Sequence, residues 1–226
     1  MSPFRLVVLC AGAWLKSDEV NYLMDIKNTI SCRCGACSLK LNEPSPKFSL
    51  MCACEDCRQA LRWAAQRGGK KPKDIIYSVY FRSDIHSYDG IENMTAAQLR
   101  GDARSTRVYC KLCFSCIAID HVVYENNVFM MQPEHCIQDF NANTPPKAVI
   151  HLIDHNGEAA DIPSDTIPIF HSLQYPQERK RFRDIKPISE CFAPPTTSSQ
   201  GITLRDLIAK INKVEVLHLE KGNMSQ

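Results

Sequence analysis

The sequence has no run of about 18–20 apolar residues, the length a membrane-spanning helix requires, so no membrane-spanning role is expected. Its longest apolar stretch, residues 6–15, follows a single Arg5. With Ala11, Gly12 and Ala13 it faintly imitates a signal-peptide core and its small-residue cleavage site. The plainer reading is a strand or helix of an N-terminal extension with Cys10 buried in it. Charge bias is equally scarce: 27 Lys and Arg against 25 Asp and Glu leave +2. A domain that lives by neutralising phosphates needs a far larger basic excess, so nucleic acid is not an expected partner. Apolar residues at 44% and charged residues at 23% exclude collagen, coiled coil and a wholly disordered chain. No internal repeat is present. At 226 residues the chain suits one domain with extensions, or at most two small domains.

Cysteine is what the chain has in excess, twelve residues, too many for chance and too few for a small disulfide scaffold. Seven fall into tight sets: Cys32 and Cys34, then Cys52, Cys54 and Cys57, then Cys110 and Cys113. Disulfides do not explain them. Thiols one residue apart on an extended chain point to opposite faces, and three within six residues cannot each find an unstrained partner. Zinc explains them, because it takes four tetrahedral ligands, favours thiolates, and a C-x-x-C turn lets two sulfurs converge on one ion. Cys32, Cys34, Cys110 and Cys113 make a closed structural site from two distant segments. Cys52, Cys54 and Cys57 make three ligands, the arithmetic of a catalytic zinc with an open fourth position. The alternative is a fourth ligand, Cys37, Cys116, Cys136 or a histidine, that closes the second site and makes it structural too. Two zincs per chain and reduced thiols place the protein in a reducing compartment, the cytoplasm.

The order of these motifs resembles the glutathione-dependent formaldehyde-activating enzyme family, which also contains centromere protein V. The resemblance rests on C-x-C-G at Cys32, C-x-C-x-x-C-R at Cys52, and Arg107-Val-Tyr-Cys110-x-x-Cys113-x-Ser115. A closing segment adds to it, with Pro145-Pro146, then Ala148, Val149 and Ile150, then residues 161–170. Together they span roughly residues 28–172. The resemblance implies a mainly β, zinc-stapled β-tent of small stacked sheets and a carbon–sulfur lyase activity that joins glutathione to formaldehyde. It also implies a structural zinc on Cys32, Cys34, Cys110 and Cys113 and a second on Cys52, Cys54 and Cys57. The sequence departs from the family at Ala53, where histidine is usual, and at Phe114, where glycine is usual. If the Cys113 knuckle needs a positive φ, a bulky residue there is strained. Cys116 adds a thiol close by.

A zinc with three thiolates is net anionic, hence a poor generator of hydroxide and better suited to holding a substrate thiol as thiolate. Attack of that thiolate on a small aldehyde gives a hemithioacetal. Proton transfer needs a nearby acid or base, for which Glu55 and Asp56 are candidates. Arg58 could offset the site's charge or hold a substrate carboxylate. The seven histidines are scattered. His151 and His155 are four apart, but Asp154-His155-Asn156-Gly157 reads as a turn, so no histidine metal site is expected. The competing function is a non-enzymatic zinc scaffold for protein or nucleic-acid contacts.

Strands are expected around Leu39 and Leu41, over residues 48–51, 75–81, 108–109, 116–124 and 127–130, with a hairpin turn at residues 125–127. A helix over residues 56–65 should stop at Gly68 and Gly69. The domain plan is an N-terminal extension (1–27), a zinc domain (28–172), a charged and Pro/Ser/Thr-rich linker (173–200) and a helical tail (201–226). In the tail, Thr203 caps a helix over residues 204–211 whose Leu204, Leu207, Ile208 and Ile211 share one face. That face should pack on the domain or on a second copy, giving a homodimer, or bind a partner. The basic runs at 67–73 and 179–183 read as solvated faces.

Overall fold

The computed structural model describes residues 27–155, 157, 166–193 and 199–220. The signal-like run with Cys10, residues 161–165 of the closing segment and residues 194–198 of the expected linker lie outside them.

Twelve strands are present among the described residues. In chain order they are β1 (Thr29–Ser31), β2 (Ser38–Leu41), β3 (Phe48–Cys52), β4 (Ile76–Arg82), β5 (Ile85–Asp89), β6 (Met94–Gln98), β7 (Ser105–Cys110), β8 (Cys116–His121), β9 (Val128–Met131), β10 (Ile137–Gln138), β11 (Pro146–Ile150) and β12 (Val214–Val216). They form a four-stranded sheet, β10-β1-β2-β5, and an eight-stranded sheet, β11-β3-β4-β9-β8-β7-β6-β12. The fold is thus mainly β. Pairing is antiparallel except at the two edges of the large sheet, where β11 runs parallel to β3 and β12 parallel to β6.

The large sheet is buried on both faces, and strand alternation sorts its side chains. From β4, Val79 and Phe81 enter one core with Ile30, Leu39 and Leu41 of the small sheet, while Ile76 and Tyr80 enter a second core on the other face. Helix α1 (Glu55–Ala65) covers the second face through Leu61, Trp63 and Ala64. It ends as expected: the Gly69 N–H donates to the Ala64 carbonyl at 2.9 Å, and Gly68 takes φ 105°, which a side chain would resist.

Several expectations change. The strand expected over 116–124 stops at His121, because Val122–Tyr124 is a 3-10 turn that leads into left-handed Glu125 and Asn126. Residues 173–193 are not a linker. They form α2 (Pro176–Arg183) and α3 (Lys186–Phe192), which dock through Phe182 and Ile188 into the second core. Burying such a side chain is worth about 1.5–3 kcal/mol, sufficient to hold a short helix that is otherwise charged. Nor is 201–226 a detached tail. Its helix α4 (Leu204–Lys210) buries Leu204, Leu207 and Ile208 in the first core, so that face is not available to a second copy. Thr203 and Asp206 form a reciprocal capping box. Asp84 fixes the approach to α4 by accepting from the Gly201 N–H at 2.7 Å and the Asn42 amide at 2.7 Å.

Candidate metal centres

The four-thiol set forms where two turns meet. Cys32 and Cys34 lie in the turn between β1 and β2, Cys110 ends β7 and Cys113 lies in the turn from β7 to β8, so the set joins the small sheet to the large one. The four sulfurs lie within 4.8 Å of one another. Cys32 and Cys34 Sγ are 3.5 Å apart, and Cys34 and Cys110 Sγ are 3.7 Å apart. A tetrahedron of zinc–sulfur bonds of ~2.3 Å has an edge of about 3.8 Å, so the donor set fits zinc. Each turn aims backbone donors at a sulfur: the Cys37 N–H at Cys32 Sγ, 3.3 Å, and the Leu112 N–H at Cys110 Sγ, 3.4 Å. Each also contains a left-handed residue, Gly35 at φ 76° and Phe114 at φ 51°. The strain expected at Phe114 is therefore present, and its ring packs edge-on against Trp63 at 5.6 Å.

Four thiols this close cannot all ionise without a cation between them. Donation from the Ala36 backbone favours thiolate at Cys34, yet crowding by Cys113, Cys32 and Cys110 outweighs it and holds the group up at about 12. At Cys113, burial raises the pKa but hydrogen bonds from Ser115 prevail, bringing it to about 6.

The three-thiol set is local. Cys52 is the last residue of β3, Cys54 is the N-cap of α1 and Cys57 sits in its first turn. The Cys54 sulfur accepts from the Cys57 N–H at 3.3 Å, so a thiol does the capping that serine or aspartate usually does. Cys52 and Cys57 Sγ are 4.0 Å apart, and all three sulfurs lie within 4.8 Å. Cys52 and Cys57 are buried and Cys54 is half-buried. Among the described residues no fourth side chain joins the group: Cys37, Cys116, Cys136 and the histidines all fall outside it. Cys54 is pushed well up by its contacts with Cys52 and Cys57 and by burial. Cys57 is held well below the ordinary thiol range by hydrogen bonds from Cys52 and Cys54, with Arg107 adding favourable charge.

Arg58 holds the loop that carries these thiols. Its Nη1 donates to the carbonyls of Ala53, 2.6 Å, and Asp74, 3.1 Å, and its Nη2 to the carbonyl of Asp154. Nε and Nη2 meet Glu55 Oε2 at 3.1 and 3.0 Å. Every donor of Arg58 therefore has a protein acceptor, and the guanidinium is a clamp rather than a free arm for a substrate carboxylate. Glu55 is divided between Arg58 and Arg62, and Asp56 accepts both 2.7 and 2.8 Å bonds from Arg100.

Reading by motif missed the groups that surround the triplet. Tyr80 and Tyr124 are buried on the same face of the sheet, and the Tyr124 hydroxyl donates to the Tyr80 hydroxyl at 3.3 Å. Burial first, then Tyr124 and the Cys52 and Cys57 thiols, raise Tyr80 well above the ordinary phenol range. His151, in the left-handed region at φ 59°, directly follows Ile150, whose carbonyl accepts from the Ala53 N–H at 3.0 Å. Burial lowers the pKa of His151 and keeps it neutral. Arg107, on β7, is buried at 3% exposure. Burial works to lower its pKa, but Tyr109, Cys57, Cys116 and Cys54 raise it above the ordinary arginine value. The available signal was a lone arginine sharing a strand face with Tyr109. A pocket of about 290 Å³, lined by Gln98, Arg104, Thr106, Asp120, Arg205 and Ile208, lies away from both cysteine sets.

No helix among the described residues is long and apolar enough to cross a membrane. No protein-family model matches the chain, and no curated protein matches it.

Proposed function

We propose that the protein is a zinc-dependent carbon–sulfur lyase or synthase acting on the thiol adduct of a small aldehyde. Its motifs' resemblance to the glutathione-dependent formaldehyde-activating family supplies glutathione and formaldehyde as the first pair to test. The observation that carries the reading is the triplet: three converging thiols with no fourth ligand beside them among the described residues. Cys52, Cys54 and Cys57 would hold zinc there, and it would supply a site where a thiol persists as thiolate at neutral pH.

The chain's own groups divide the rest of the work. Helix α1 presents its positive end to the sulfurs, and Arg58 fixes the loop between them. In the forward direction the thiol sulfur forms a bond to the carbonyl carbon, the carbon–oxygen π bond opens, and the proton lost by sulfur is balanced by one gained at oxygen. Tyr80, whose hydroxyl accepts from Tyr124, keeps its own proton for donation on the face that carries the triplet. Cleavage of the adduct is the same path reversed. Both thiol sets are free of disulfides, and thiolate ligation needs reduced cysteine, which supports a cytoplasmic setting.

Exchange between free and glutathione-bound ¹³C-formaldehyde, followed by NMR line shape or saturation transfer, tests this reading. Zinc-loaded protein should accelerate exchange, and the Cys54→Ser variant should not. A fully zinc-loaded protein that leaves the exchange rate at its solution value overturns the reading in favour of a zinc scaffold.

A further inference from the structure

We propose that Arg107 is the built-in counter-cation of the three-thiol centre, and that it makes the centre select an anionic fourth ligand, a thiolate, over a neutral one. The inference rests on the thiol-binding reading above and gives it a cause.

A buried guanidinium ordinarily needs a carboxylate, because removing it from water unpaired is among the most costly burials in a protein. Arg107 has none. Its cross-strand partners are Ala97 on β6 and Ile119 on β8, both apolar. The nearby acids are engaged elsewhere, Asp56 with Arg100 and Glu55 with Arg58 and Arg62. Asp120 belongs to the other face of the sheet and pairs with Arg205 at 3.2 Å. Helix α1 lies over β7, with the Tyr109 hydroxyl 3.5 Å from the Ala60 carbonyl and its ring 5.3 Å from that of Trp63. Arg107, two residues back along the strand, therefore comes level with Cys57, one turn back along the helix, on the face whose core holds Cys52, Cys57, Cys116, Tyr109 and Ile119. The electrostatics agree, since Tyr109 and the thiols of Cys57, Cys116 and Cys54 are the groups that favour its charge. Two of those thiols are members of the triplet, so the anion that justifies burying Arg107 is the centre itself.

Charge balance then gives the selectivity. A divalent ion with three thiolates carries one net negative charge, which a single arginine cancels. An incoming thiolate therefore meets a neutral assembly instead of an anionic one. Without Arg107 the same step would bury a second negative charge, whereas a neutral ligand such as imidazole would be indifferent to the change. Arg107 is a positioning and selecting residue in this scheme, since nothing requires it to touch the reacting atoms.

Cobalt(II)-loaded full-length protein can be titrated at constant pH with 2-mercaptoethanol and, separately, with imidazole, while the visible ligand-field bands are followed. The closed four-thiol centre contributes a constant background. Wild type should bind the thiol at least as tightly as imidazole. Arg107→Met should weaken the thiol by about tenfold or more and leave imidazole within about threefold, while Arg107→Lys keeps most of the thiol affinity. Equal loss of both ligands in Arg107→Met, or undiminished thiol binding, overturns the inference and leaves the thiol-binding reading standing. A wild-type centre that answers to neither ligand removes both. Should neither variant fold, a wild-type preference for imidazole overturns the inference by itself.

Discussion

The two cysteine sets share a side-chain type and a close sulfur–sulfur spacing, 3.5 and 3.7 Å in one and 4.0 Å in the other, yet they stand in opposite relations to the fold. The four-thiol set draws on two turns far apart in sequence and ties one sheet to the other, with Cys34 exposed to water. The three-thiol set comes from one strand-to-helix junction whose strand is already paired on both sides, with β4 and with β11. A metal on the first replaces tertiary contacts that a small sheet cannot make alone. A metal on the second would add little that the backbone has not already arranged, and the core around it brings in hydroxyl, imidazole and guanidinium groups, the Tyr80 and Tyr124 rings also stacking on Phe48 and Phe192. Position in the fold, more than the number of thiols, sets the two candidate centres apart.

The comparison breaks most clearly at Cys34. Because this side chain is exposed, Cys34→Ser buries no new polar group, and any loss of stability comes from the metal. We expect a loss of ~5 kcal/mol or more, comparable to the whole stability of an ordinary domain, read as collapse of the thermal transition. Cys54→Ser should behave differently. Serine is itself a good N-cap, so α1 survives, and the expected result is one zinc fewer per chain by elemental analysis with the melting temperature lowered by only a few degrees. If Cys54→Ser unfolds the protein and Cys34→Ser does not, the assignment of staple and working centre is reversed.

Two smaller effects sharpen the contrast. Arg58→Leu abandons the carbonyls of Ala53, Asp74 and Asp154 and should cost about 3 kcal/mol, lowering zinc affinity at the triplet alone, as read by chelator competition. Phe114→Gly relieves the left-handed φ of 51° but gives up the ring contact with Trp63. These terms are of similar size and opposite sign, so the denaturation midpoint should move by less than about 1 kcal/mol equivalent. Phe114→Ala keeps the strain and loses the contact, and should be the less stable of the pair by urea titration.

Much of both metal sets was legible because their chemistry is local. C-x-C and C-x-x-C spacing states which thiols can converge, and the pairing of 32 and 34 with 110 and 113 needed only the rule of four. Strands such as β4 showed themselves by alternation, and α1 by its cysteine entry and glycine exit. The strands not expected were β1, β5, β6, β10, β11 and β12, and for several of them pairing rather than sequence decides the strand. β6 reads Met-Thr-Ala-Ala-Gln and is a strand because β7 and β12 flank it, and β10 and β12 are short pieces that only their partners define. The charged segment after residue 172 looked like a linker because Phe182 and Ile188 are its few apolar anchors, and burial of single anchors leaves no periodicity to read.

The sequence by itself determined which thiols can converge, in one set of four and one of three, since that follows from spacing along a backbone of known geometry. Only the tertiary structure decided what faces the triplet. Arg107, Tyr80, Tyr124 and His151 come from four separate elements, and no spacing rule relates them. They share one face of an eight-stranded sheet that α1 closes: alternation sends Tyr80 and Arg107 to that side, while Tyr124 arrives on a 3-10 turn and His151 on the left-handed residue after β11. Arg58 shows the same limit from the other direction: the sequence placed a cation beside the thiols, and the folded chain turned every one of its donors onto the protein itself.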